Sequence, residues 1–130
     1  MEARFPPAIR SIFSRCTNPA LEDDLTDWYT RVHFPDILGA GVATRGLRYR
    51  NAEPQDGEPD YLVIYEFDTD DFLHVNKAFS ELLERLQHEG GMHPAVEVIR
   101  RAQWRRIGSR RSPGSPEAAF WPSTKPQGIR

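Results

Sequence analysis

Tyr29 and His33 stand four residues apart, with Trp28 beside them and Asp36 three positions further on. At helical spacing the phenol and the imidazole fall on one stripe. An imidazole exchanges protons near neutral pH, and a phenol both donates and accepts hydrogen bonds. Together they could hold one substrate oxygen or relay a proton, with His33 as general acid or base. Asp36 could orient the imidazole. The plainer alternative is that His33 only ends a helix, where the dipole favours a cation. His74 is a second proton carrier by type, or else a partly exposed helix histidine. Arg48, Tyr49 and Tyr65 stand in strand-like runs. An arginine there could stabilise a developing enolate or phenolate, and a buried phenol needs a polar partner. The alternative for each is an ordinary sheet residue. Trp28 suits a cleft wall better than a chemical role.

These residues must be positioned by the elements around them. AIRSIFSRC at 8–16 reads as a strand. Asn18 is a good helix N-cap and Pro19 suits the first helical position. Leu21, Leu25, Trp28, Tyr29, Val32 and His33 continue as one stripe. Pro35 predicts that the helix ends or kinks at Phe34, before glycines at 39 and 41. Residues 42–50 read as a second strand, with Gly46 marking a bulge or a close backbone approach. A polar loop follows. The run YLVIYEF at 61–67 is apolar on both faces apart from Glu66, so both faces should be covered. Asp68 or Thr69 should cap a second helix, whose inner stripe is Phe72, Val75, Asn76, Phe79, Leu82, Leu83 and Leu86. Gly90 and Gly91 stop it. A fourth strand is expected over 96–107.

The order β-α-β-β-α-β predicts an α+β, ferredoxin-like fold with a four-stranded antiparallel sheet and both helices on one face. The other face needs a cover. A second copy of the chain, sheet against sheet, is the simplest one.

Composition narrows the function. The chain has 130 residues, a net charge of −2 and one cysteine, Cys16. A domain over residues 1–108 and a tail without regular structure over 109–130 are expected; the adjacent Phe120 and Trp121 in that tail are a possible docking element. Residues 1–96 hold 9 Lys/Arg against 17 Asp/Glu, and residues 97–130 hold 8 against 2. The late arginines are read as the solvated positions of a strand, because no aromatic-interleaved signature for RNA accompanies them. Nucleic acid is therefore not an expected partner. No apolar run is long enough for a membrane helix, and no signal-peptide core opens the chain, so a cytoplasmic protein is expected. No histidine pair or thiolate pair has metal spacing. No phosphate-binding glycine loop or nucleophile elbow is present. No metal and no cofactor are expected.

The residues Trp28, Tyr29, His33, Pro35 and Asp36, the Gly39–Gly41 turn, the Arg45, Arg48 and Tyr49 strand, the 61–67 strand and Trp104 resemble the dimeric α/β-barrel superfamily. The similarity is to its EthD-like and polyketide-cyclase-like small proteins, and it spans residues 8–107. It implies a homodimer whose two sheets form a barrel, with one cleft per subunit between sheet and helices. It also implies a cofactor-independent enzyme on a polyketide-like or aromatic metabolite: a cyclase/dehydratase or an isomerase. In that reading His33, Tyr29 and His74 are catalytic, and Trp28, Asp36, Arg48, Tyr49 and Tyr65 bind substrate. The alternatives are cofactor-free monooxygenation of a phenol and a non-catalytic module that binds a small molecule or a partner. A haem-binding variant is a further possibility.

Overall fold

The computed structural model describes residues 5–110, 112 and 113; Phe120 and Trp121 lie outside them. Its compact body is Pro6–Arg105. Four strands, β1 (Ala8–Cys16), β2 (Arg45–Arg50), β3 (Tyr61–Phe67) and β4 (Val96–Arg105), form one antiparallel sheet in the order β2-β3-β1-β4. This is the ferredoxin-like arrangement expected from the sequence. The fourth strand stops two residues short of the expectation, and residues 106–110 are neither helix nor strand.

Asn18 caps the first helical segment as expected. Its Oδ1 accepts the Ala20 N–H at 3.0 Å, and Pro19 opens a short 3₁₀ turn. The α-helix α1 (Glu22–Trp28) follows, with Glu22, Asp23 and Asp24 in its first turn, where the dipole favours acids. Pro35 does not stop the chain from coiling. The segment passes through a π-helical turn, Tyr29–His33, into α2 (Phe34–Gly39). The Phe34 N–H bonds to the Tyr29 carbonyl, five residues back. The wider turn gives the pyrrolidine ring room where a regular helix would crowd it. Gly41 then adopts a φ of 78° and its N–H closes on the Leu38 carbonyl.

The second helix, α3 (Phe72–His88), starts later than the sequence suggests. Asp71, not Asp68 or Thr69, is its cap, accepting the His74 N–H, while Thr69 Oγ1 holds the Asp71 N–H. Its buried residues are Val75, Phe79, Leu82 and Leu86, the expected stripe. Gly90 ends it at a φ of 76°, and the Gly91 N–H reaches back to the Leu86 carbonyl, a glycine C-cap.

Both helical layers cover one face of the sheet. Along β3, Tyr61, Val63, Tyr65 and Phe67 are buried beneath them. Leu62 and Ile64 point the other way and are only half-buried. The expected cover of that second face is not supplied by this body. Gly46 pairs with Tyr65 without a register shift, so the bulge is absent. The close approach is real: a Cβ at Gly46 would meet the Phe34 ring at 3.1 Å. The absence of Cβ lets α2 sit directly on β2.

Candidate functional site

Two cavities open beneath the helical layers, one at each lateral edge of the sheet. The first, of about 280 Å³, lies between the first helical segment and β2. Thr26, Tyr29, Thr30 and Phe34 come from the helical side, and Arg48 and Tyr61 from the sheet. Arg48 and Tyr61 stand on the helix-facing side because β2 and β3 pair with Arg48 opposite Val63 and Arg50 opposite Tyr61.

Arg48 is the centre of this site. Its guanidinium carbon lies 4.0 Å from the Tyr61 ring centre and 4.5 Å from that of Tyr29. The cation is thus held between two π faces. Only Nη1 is hydrogen-bonded, to Thr26 Oγ1 at 3.0 Å. Nε and Nη2 are buried without a partner among the described residues. The Tyr61 hydroxyl donates a short hydrogen bond to Glu22 Oε2, which also accepts from Arg50. Burial, then the Glu22 carboxylate, pushes the Tyr61 phenol up to about 12. The same hydrogen bond is the main cause that holds the Glu22 carboxyl below its usual range. Burial also raises the Tyr29 phenol, against the opposing pull of Arg48. All three phenolic and carboxylic groups therefore stay in their ordinary protonation states at neutral pH.

His33 lies behind this wall. It is 6% exposed, stacks on Trp28 at 4.4 Å between ring centres, and meets Tyr29 edge-on at 5.4 Å. Burial lowers its pKa to about 4, and Asp36 offsets this only in part. Its Nδ1 has no hydrogen-bond partner among the described residues. His33 is thus neutral at pH 7 and does not line the cavity. Tyr29 is in contact with both His33 and Arg48.

The remaining expected residues disperse. Trp28 is scaffold: its Nε1 donates to the Gly91 carbonyl at 3.2 Å, tying the first segment to the end of α3. Tyr49 reaches the cavity rim but is 50% exposed, on the residue opposite Leu62. Tyr65 is sealed in the core against Phe34 and Phe79, where burial raises its pKa. Asp36 is half-buried off the cavity. His74 is exposed on the first turn of α3 and lines neither cavity. On the neighbouring turns of the helix the buried residues are Val75 and Phe79. Sequence reasoning missed Thr26, Glu22 and Tyr61 as site residues. Their signal was three-dimensional, since Glu22 and Tyr61 are 39 residues apart.

Among the described residues no cluster of His, Cys, Asp and Glu suits a metal ion, and no helix is long and apolar enough to cross a membrane. No protein-family model and no curated protein matches the sequence. Among solved structures, the chain is similar to HapK from Hahella chejuensis, at 14% identity and a TM-score of 0.57 over 82% of this chain and 99% of that one. A dimeric ferredoxin-like protein of unknown function from Thermobifida fusca is also found, at 13% identity and a TM-score of 0.43 over 76% of this chain and 91% of that one. The likeness to HapK shows a shared fold. At that identity it carries nothing about chemistry. Fold and site together define a ferredoxin-like α+β protein with an arginine-centred cavity under its first helical segment.

Proposed function

We propose that the protein is a cofactor-independent enzyme that enolises a small aromatic or polyketide-like metabolite at the Arg48 cavity. Enolisation is the step common to cyclisation with loss of water and to isomerisation. The observation that carries the reading is Arg48, a half-buried cation lining a cavity, two of whose nitrogens are buried without acceptors among the described residues. A substrate carbonyl there gains negative charge as its α-proton leaves, and the guanidinium stabilises that charge. The proton goes to the Tyr61 oxygen while the Tyr61 proton passes to Glu22, along the hydrogen bond already made. Tyr29 holds the substrate oxygen from the helical side. His33 supports Tyr29 and leaves the proton transfer to Tyr61 and Glu22.

The test is deuterium exchange at the methyl group of 2-hydroxyacetophenone in heavy water, followed by NMR. Wild type should exchange it faster than buffer. Arg48→Met and Tyr61→Phe should lose the acceleration, and His33→Leu should keep it. Exchange at the wild-type rate in Arg48→Met would overturn the assignment. A non-catalytic binding protein would instead retain metabolites, visible by mass spectrometry, without exchange.

A homodimer belongs to the same proposal. Phe13, Leu47, Leu62 and Ile64 form a half-buried apolar stripe on the sheet face away from the helices, and Trp104 stands on the same face at 48% exposure, its Nε1 donating to Ser11 Oγ. A second copy would bury that stripe. Sedimentation of Leu62→Lys should give monomers where wild type gives dimers.

A further inference from the structure

The second cavity, of about 590 Å³, lies on the other side of the body, between α3 and β4, with Arg10 at its floor. Arg10 is 9% exposed and rests 4.3 Å from the centre of the Phe79 ring. Its Nη2 donates to Asn76 Oδ1 at 2.7 Å and to Gln103 Oε1 at 3.1 Å. Among the described residues no carboxylate pairs with it. A buried cation without a counter-ion is costly, and here a second cation, Arg101, lines the same space. Burial first, then the charge of Arg101, lowers the Arg10 pKa.

We propose that this groove binds the phosphate of a phosphomonoester carried on a small hydroxylated molecule. The amide oxygens of Asn76 and Gln103 are committed to Arg10, so their NH₂ groups remain as donors. With the rest of the Arg10 guanidinium and with Arg101, they outnumber what a carboxylate accepts and match the three terminal oxygens of a phosphate. Two positive charges balance a dianion. Above them, Ser80, Glu84 and Gln87 line the α3 wall at a spacing that puts them on one helix face. These groups suit ligand hydroxyls, with the Glu84 carboxylate as an acceptor for them. The volume leaves room for a sugar-sized remainder.

The site is independent of the Arg48 cavity, and the test separates them. Calorimetric titration of the full chain should show glucose 6-phosphate and inorganic phosphate binding, with glucose silent. Arg101→Gln and Asn76→Leu should each weaken phosphate by about tenfold or more, the effect of losing one hydrogen bond to a charged group. Arg48→Met should bind phosphate like wild type. Arg10→Met should abolish binding; should it fail to fold, the other two variants decide. The proposal is overturned if neither phosphate ligand binds, if both Arg101→Gln and Asn76→Leu bind like wild type, or if benzoate binds tighter than phosphate.

Discussion

The two halves of the helix-covered face treat buried nitrogen in opposite ways. Under the first helical segment, His33 Nδ1 and Arg48 Nε and Nη2 are buried without partners among the described residues. Under α3, Arg10 is the more deeply buried of the two arginines, and two amide oxygens hold its guanidinium. Buried polar groups are nearly always satisfied, so the exceptions need a reason. On the β2 side the reason offered above is a substrate oxygen that Arg48 awaits. On the β4 side the cation is oriented in advance, and its ligand would complete a frame already built. One half holds an under-satisfied site, the other a preorganised one.

The largest expected effect tests the unsatisfied half through pH. The folded-state pKa of His33, about 4, lies below its ordinary value of 6.5. The unfolded chain therefore binds a proton first as pH falls. The contribution of His33 to stability is whole above pH 6.5, shrinks on the way down and is gone near pH 4. Its size is about 3 kcal/mol. His33→Leu should remove that step, seen as the difference between wild-type and variant urea midpoints across this window. A wild-type slope that persists in the variant would show that His33 is hydrated or paired.

Next comes a direct contrast between the arginines. Arg10→Met strands the Asn76 and Gln103 oxygens and should cost about 2 kcal/mol. Arg48→Met removes two orphaned donors along with the charge and should leave stability within about 1 kcal/mol of wild type. Equal losses in thermal or chemical unfolding would dissolve the distinction between the halves.

How much of this was legible in the sequence follows the range of the interactions. The β-α-β-β-α-β order, the Asn18 cap, the α3 stripe and the Gly90 stop rest on local spacing and were readable. Pro35 was readable as a disturbance, but its outcome was not: whether a helix breaks or widens into a π turn depends on what the next turn packs against, here Phe34 on Gly46. The Tyr29–His33 stripe was real, yet the stripe spans both a core and a cavity wall. Tyr29 reaches the cavity and His33 stops in the core, a division set by Trp28 and the end of α3. Arg48 was found from its strand. Its partner Tyr61 was not, because the two meet only through pairing of β2 and β3. Nothing local in the sequence marks Arg10, because no neighbouring residue says that a β1 arginine points under a helix.

The junction of α2 and β2 offers a smaller and more local probe. Gly46→Ala places a methyl group 3.1 Å from Phe34. That ring is held by Tyr29 and Tyr65, so it cannot swing aside freely. A loss of about 1.5 kcal/mol is expected, as for modest overpacking, together with weaker deuterium exchange because Phe34 lines the cavity. Unchanged stability and exchange would mean that α2 rides on β2 more loosely than its contacts indicate.

The smallest effect is expected at Tyr61. Its hydroxyl is the one polar group of the Arg48 cavity that is both satisfied and assigned to chemistry. Tyr61→Phe keeps the ring beneath Arg48 and removes only the hydrogen bond to Glu22, so stability should fall by less than about 1 kcal/mol. Freed of that bond, Glu22 loses the main cause of its lowered pKa and should titrate higher, although Arg50 continues to hold it down. Carboxyl NMR shifts in the two proteins would read this change directly. Near-native stability with lost exchange would place Tyr61 in the reaction. Near-native stability with full exchange would leave Arg48 as an anion anchor and turn the cavity into a binding site, giving both halves of the face the same task.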